Sequence, residues 1–198
     1  MLKSEYIFVY GSLISKGSEG LQGISNIPVT VSGLRRGWFT AVPEDATTGL
    51  GAIIDETHSC NGVLIKASDE YLLSTDDREI QHGYTRVKLP RGCASPWYTH
   101  TMSASDIWVY LTNTPVAPTR ECPITQSYLD VVVTGCLEIG KDFAAEFVRT
   151  TDGWDNYWVN DRDKPRYRRH ISPDAERIDA LLSIVIPIQF ANRISATN

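Results

Sequence analysis

"GVLIKASDEYLLSTDDREIQHGYTRVKL", residues 62–89, passes from strand to helix and back to strand without a long linker. Gly62–Lys66 is a short run of β-forming residues. Ser68 has the character of a helix N-cap, and Asp69 and Glu70 complement the helix dipole in the first turn. Gly83 suits the position just past the helix end, and Tyr84–Leu89 resumes β-character. Working outward, Tyr6–Tyr10 reads as a buried strand that ends in a Gly-Ser pair, with a loop over Gly11–Asn26. Val29–Phe39 reads as a strand interrupted at "GLRRGW" by a bulge or turn. Leu50–Ile54 is expected to pair with Gly62–Lys66 across the polar loop "DETHSCN" (55–61). Asp106–Leu111 supplies one more strand. Two helices follow, "TQSYLDVVVTGCLEIG" (125–140) and "KDFAAEFVRTT" (141–151). Ser172-Pro173-Asp174 opens a last one, "DAERIDALLSIV" (174–185), with Pro173 at its first position. Strands dominate the first half and helices the second, which favours α+β over a βαβ repeat.

The chain has 198 residues, enough for one domain with a sizeable core, and 42% of them are hydrophobic. A formal net charge of -5 argues against nucleic acid or an anionic membrane as a partner held by bulk charge. No apolar run approaches the roughly 18 residues of a spanning helix, and the N-terminus lacks a signal-peptide pattern. The expected location is cytoplasmic. Cys60, Cys93, Cys122 and Cys136 show no CxxC pair, and are expected to be reduced and mostly buried. His58, His82, His100 and His170 show no metal-ligand spacing, so no metal site is expected.

Glu79 follows Leu72 by two helical turns, a rotation of only about 20°. If Leu72 faces the core, Glu79 points the same way at the helix's last turn. A carboxylate so placed is either paired, half-exposed or functional. Arg78 lies about 100° around the helix and need not neutralise it. Ser12 lacks the flanking glycines of a nucleophile elbow, since Tyr10 and Ile14 occupy those positions. No phosphate-binding glycine motif is present. What remains at Gly11–Leu13 is a strand end whose N–H groups can bind a carboxylate or an oxyanion. "DRDKPRYRRH" (161–170) concentrates Arg162, Lys164, Arg166, Arg168 and Arg169. It reads as a solvated face or internal ion-pair strip, or as a site for an acidic group. Trp154, Tyr157 and Trp158 beside it either pack in the core or wall a pocket.

"VYGSL" (9–13), the quoted stretch 62–89 and "PITQSYLDVVVTG" (123–135), in this order, resemble the gamma-glutamylcyclotransferase-like superfamily over about residues 5–140. The resemblance implies a small, strongly bent β-barrel of mixed strands flanked by helices, around one cavity without metal or organic cofactor. Residues 1–198 would form a single such domain, with 154–198 as a C-terminal extension. Tyr10, Gly11, Ser12 and Leu13 match the loop whose backbone amides hold the γ-glutamyl group. Glu79 matches the family's acid/base carboxylate, Tyr128 a substrate-contacting tyrosine, and Tyr84 a supporting strand aromatic. No role carries over to Asp76 or Asp77.

The implied reaction is attack of a γ-glutamyl amide's own α-amine on its γ-carbonyl. It yields 5-oxoproline and a free amine or amino acid. No protein nucleophile is needed, which agrees with the missing elbow. A glutathione-type substrate is disfavoured, because the tryptophan that usually follows the loop in that branch is absent from "YGSLISKGSEG". The alternatives are a non-catalytic γ-glutamyl or small-molecule binding protein on the same fold, and an acyl-transfer or hydrolytic variant. Trp154–His170 is expected to close over the pocket and to set leaving-group preference through Trp158 and Arg166. The sequence does not determine the oligomeric state.

Overall fold

The computed structural model describes residues 5–15, 26–99 and 106–195. Residues 16–25 of the expected loop, and His100, lie outside the described residues. The elements in chain order begin with β1 (Glu5–Val9), β2 (Ile27–Val42) and β3 (Thr47–Ala67). Next come α1 (Asp69–Gln81), β4 (Tyr84–Lys88), β5 (Ala94–Pro96), β6 (Asp106–Thr112) and β7 (Ile124–Thr125). Then follow α2 (Gln126–Ile139), α3 (Lys141–Arg149), β8 (Thr151–Asp152) and β9 (Trp158–Asn160). The chain ends in α4 (Ala175–Val185), α5 (Pro187–Ala191) and β10 (Ile194–Ser195). This is the α+β architecture expected.

All strands belong to one 10-stranded mixed sheet in the order β10-β9-β7-β3-β1-β6-β4, with β2 branching from β3 and carrying β5 and β8. Among the described residues no ladder joins β4 to β10, so the sheet is not closed into a ring. The spine is β3. Its far end pairs with β1 (Val9 opposite Val63), its near end with β7 (Thr48 opposite Ile124), and β2 runs along its other edge. Between β1 and β7 that first edge has no strand neighbour, and the site forms there.

The expected strand pair Leu50–Ile54 and Gly62–Lys66 is instead one strand. Both segments pair with β2, whose register jumps from Ser32–Ser59 to Leu34–Ile54. The polar stretch between them is an outward bulge rather than a hairpin loop. Asp55 accepts hydrogen bonds from the N–H (3.0 Å) and hydroxyl (2.7 Å) of Thr57, a local turn that lets the ladder resume. In β2 the interruption expected at "GLRRGW" is this bulge, with Gly33 at φ 84°.

The helix starts differ in detail. Ser68 caps α1 by accepting from Tyr71 N–H at 3.2 Å, as expected. For α4 the cap is Asp174, which accepts from Arg177 N–H at 3.1 Å, so Pro173 precedes the helix instead of opening it. Central to the molecule is α2, buried almost all round from Gln126 to Leu137. Gly135 is where the turn after β1 rests on it: a Cβ there would come within 2.5 Å of Ser15 N. A glycine at this place in α2 therefore sets the height of the Gly11–Leu13 segment.

Four cysteines carry free thiols; Cys60 and Cys136 are buried, Cys93 and Cys122 partly exposed. Among the described residues no helix is long and apolar enough to cross a membrane.

Candidate active site

A cavity of about 390 Å³ opens where β3 lacks a neighbour. Tyr10, Gly11, Ser12 and Leu13 line it from the β1 end, Glu79 from the last turn of α1, Tyr84 from β4, and Tyr128 from α2. The seven residues matched through the resemblance therefore share one cavity.

Its floor is built by tyrosine hydroxyls on main-chain groups. Leu50 sits opposite Trp38 in the β2–β3 ladder, yet its N–H donates to Tyr128 Oη (3.4 Å) and its carbonyl accepts from Tyr84 Oη (2.9 Å). Two side chains thus do what an adjacent strand would have done. Tyr10 Oη donates to the Tyr110 carbonyl at 2.5 Å. Tyr110 Oη donates to Asp76 Oδ1 at 2.8 Å, and Asp76 pairs with Arg86 at 3.0 Å. Burial, with lesser contributions from neighbouring acidic groups, pushes the Tyr10, Tyr84, Tyr110 and Tyr128 hydroxyls above their ordinary range. They stay protonated and serve as hydrogen-bonding polar walls, Tyr10, Tyr84 and Tyr110 as donors and Tyr128 as an acceptor, not as bases.

After β1 the chain makes a 3₁₀ turn, Ser12–Ile14, closed by Ile14 N–H to Gly11 O at 3.0 Å. Among the described residues the N–H groups of Ser12 and Leu13 have no acceptor, as the first donors of such a turn must not. They are the donors anticipated from the Gly-Ser ending. Gly11 is close-packed, since a Cβ there would lie 3.2 Å from Tyr128 Oη.

Leu72 is buried, and the Glu79 side chain is 21% exposed, so the helical phase is as expected. Arg78, which the helical angle alone does not require as its partner, pairs with it. Arg78 Nε and Nη2 donate to Glu79 Oε1 at 3.1 and 2.9 Å. A long, flexible stem lets the guanidinium travel around the helix despite the angular separation. Glu79 Oε2 has no hydrogen-bond partner among the described residues.

Sequence reasoning missed several lining residues. Tyr110 comes from β6, where alternation alone gave no hint that it faces a cavity. Glu44 and Asp45 come from the turn between β2 and β3. Tyr167, Arg168 and Arg169 come from the aromatic and basic segment. Trp158 and Arg166 do not line the cavity, which corrects their expected part in it. Trp158 is buried against Trp154 (5.3 Å between rings) and Phe190 (6.2 Å). Arg166 donates outward to the Ala46 carbonyl at 3.2 Å. Tyr167 N–H donates to Ser127 Oγ of α2 at 3.2 Å, and it is Tyr167 and the two residues after it that line the cavity. Part of the basic run is an internal ion-pair strip: Arg162 holds buried Asp130 at 2.7 Å and Asp179 at 2.8 Å.

Among the described residues no group of three or more His, Cys, Asp or Glu side chains is arranged to hold a metal ion. Among the described residues the arrangement offers the Glu79 carboxylate with an unengaged oxygen, the N–H groups of Ser12 and Leu13, an aromatic floor and a charged rim.

No protein-family model matches the chain, and no curated protein matches it. Among solved structures it is similar to one described as gamma-glutamyl cyclotransferase, with 13% sequence identity, 89% of this chain and 98% of that chain covered, and a TM-score of 0.60. It is also similar to an uncharacterized protein from Homo sapiens, with 13% identity, 90% and 98% coverage, and a TM-score of 0.57. The chain has the gamma-glutamylcyclotransferase-like fold.

Proposed function

We propose that the protein is a cofactor-independent enzyme of the gamma-glutamylcyclotransferase type, releasing 5-oxoproline from a γ-glutamyl amide. One observation carries this reading: Glu79 lines the same cavity as Ser12 and Leu13, whose N–H groups have no acceptor among the described residues. The substrate's α-amine is the nucleophile, so the protein's first task is to fold the substrate into a near-attack shape. Such orientation can supply about 7–11 kcal/mol of the barrier. Tyr10, Tyr84 and Tyr128 give the cavity a rigid wall for it, because their hydroxyls are committed to main-chain groups.

Glu79 Oε2 accepts a proton from the α-ammonium, and the freed amine attacks the γ-carbonyl carbon. Negative charge on the carbonyl oxygen is met by main-chain N–H donors of the Ser12–Ile14 turn. Each such donor is worth about 3–4 kcal/mol in comparable sites. Glu79 then returns its proton to the departing nitrogen, the C–N bond breaks, the ring nitrogen gives up its second proton to the released amine, and the five-membered lactam and an ammonium product remain.

The test is a panel of γ-glutamyl compounds with 5-oxoproline read by mass spectrometry. Glu79→Gln is expected to lower turnover about 10²–10⁴-fold with an unchanged circular dichroism spectrum. Wild-type turnover in that variant would refute the mechanism. A blank panel with measurable binding of one member would favour the alternative, a γ-glutamyl binding protein on this fold. Release of glutamate in place of 5-oxoproline would identify a hydrolytic variant.

A further inference from the structure

The proposed reaction moves two protons, and Glu79 has one working oxygen. Lactam formation takes two protons off the substrate's α-ammonium, while Arg78 occupies Glu79 Oε1. Among the described residues that line the cavity, only Glu44, Asp45, Glu79 and His82 can take up a proton near neutral pH, because tyrosine and arginine already hold theirs. Asp45 is held by Arg168. His82 and Glu44 remain, and they face each other across the cavity mouth, with His82 Nε2 3.7 Å from Glu44 Oε1.

His82 follows Glu79 by three residues at the end of α1, so the two are neighbours on one side of the helix, with Cβ atoms about 5–6 Å apart. Its Nδ1 lies 2.8 Å from the Arg78 carbonyl. A carbonyl can only accept, so Nδ1 carries the hydrogen and Nε2 of the neutral ring is left with a lone pair. Nε2 has no hydrogen bond among the described residues. Glu44 is too far away to bond it, and near enough to meet the positive charge of an imidazolium. Arg78 thus serves both groups. Its side chain engages Glu79 Oε1 and leaves Oε2 free, and its carbonyl sets the His82 tautomer.

We propose that His82 is a second catalytic residue, whose Nε2 takes the second proton from the ring nitrogen and passes it to the released amine; this rests on the cyclotransferase reading above. In the tetrahedral adduct the ring nitrogen holds one proton more than the lactam keeps. Nε2 binds that proton, the electron pair of the N–H bond stays on the ring nitrogen, and the imidazolium forms beside Glu44. Glu79 returns the first proton to the departing nitrogen as the C–N bond breaks. The imidazolium then gives its proton to the released amine, and both residues end as they began.

The experiment reads 5-oxoproline from γ-glutamyl-alanine, or from whichever panel member is turned over fastest, in the wild-type protein and two variants, with circular dichroism as the check on folding. His82→Gln offers an N–H donor but no proton acceptor. Its kcat is expected to fall about 10²-fold, with KM changed less than about twofold. His82→Ala should show the same loss, and added imidazole should restore much of kcat. The His82 side chain is 45% exposed, so a free imidazole can reach its place. A helix-end role alone would be met by glutamine and would not respond to imidazole. Wild-type kcat in His82→Gln, a loss that imidazole leaves untouched, or a rise in KM with kcat unchanged overturns the proposal. Should neither variant fold, Glu44→Gln decides, because it leaves His82 in place. A fall in kcat of about two- to fivefold, the size of an exposed ion pair, then supports the relay, and an unchanged kcat overturns it. If the wild-type protein yields no 5-oxoproline from any compound, the functional reading falls and takes this inference with it; the other failures leave that reading standing.

Discussion

Arg36 carries a positive charge into the core, fully buried and in no ion pair among the described residues. Its donors go to Thr151 Oγ1 (2.8 Å), the Phe147 carbonyl (2.7 Å), Thr150 Oγ1 (2.9 Å), and the carbonyl and side chain of Asn61. It also lies 3.6 Å from the Phe147 ring centroid. Phe147 and Thr150 belong to the end of α3, where main-chain carbonyls lack partners and the helix dipole is negative. One side chain thus caps α3 and ties it to β3. Burial lowers its pKa, but a guanidinium is charged at any physiological pH. Arg36→Met removes the bonds to the Asn61 and Phe147 carbonyls and to the Asn61, Thr150 and Thr151 side chains at once, and is expected to cost about 3 kcal/mol or more in chemical denaturation. Lysine should not rescue it, because a single ammonium cannot span that fan of acceptors. In the sequence this arginine was only part of an interruption in a strand. Glu79 was more legible. Its phase relative to Leu72 follows from helical geometry alone, whereas the Arg78 contact depends on a rotamer that spacing does not encode.

At the level of elements, α1 must hold Glu79 at a set depth. Asp76, one turn earlier on the same face, is the pin. It accepts from Tyr110 of β6 and pairs with Arg86 of β4, whose guanidinium lies 4.7 Å over the Trp108 ring. The helix is thereby clamped to the two strands that follow it. Asp76→Ala is expected to lower kcat about tenfold or more, as small misplacements of reacting groups do, with KM little changed. Asp76→Asn, which keeps an acceptor for Tyr110, should recover part of that loss; a purely structural role would change stability without splitting kcat from KM. That α1 would form, where it would begin and where it would stop were all readable, because caps and Gly83 are local signals. The continuity of β3 was not. Its polar middle has loop composition, and only pairing of both its halves with the same long β2 makes it one strand.

Across the whole molecule, the segment after β8 is bound to α2 through a buried aspartate. Asp161 Oδ1 accepts from Ser127 N–H at 2.8 Å, and Oδ2 from Ser127 Oγ at 2.6 Å and Arg166 N–H at 2.8 Å. It therefore caps the central helix from a distant part of the chain, where the N-cap residue Thr125 makes no capping bond of its own because its hydroxyl is engaged with Thr47 Oγ1 at 2.6 Å. The same contact orders the stretch that brings Tyr167, Arg168 and Arg169 to the cavity. Asp161→Ala is expected to cost about 2–3 kcal/mol, from a lost cap and lost buried bonds. Amide exchange at Ser127 and Arg166 should quicken most. The chain's own order of residues determined the α+β class, most element positions, the inward face of Glu79 and the donors at Gly11–Leu13. Each of these follows from periodicity, capping or turn chemistry within a few residues. Tertiary structure alone decided the union of β3, the counter-ion of Glu79, the remote cap of α2 and the choice of Arg169 over Arg166 at the rim. Those depend on which distant main-chain groups need partners once the sheet has folded, and no local pattern records that need.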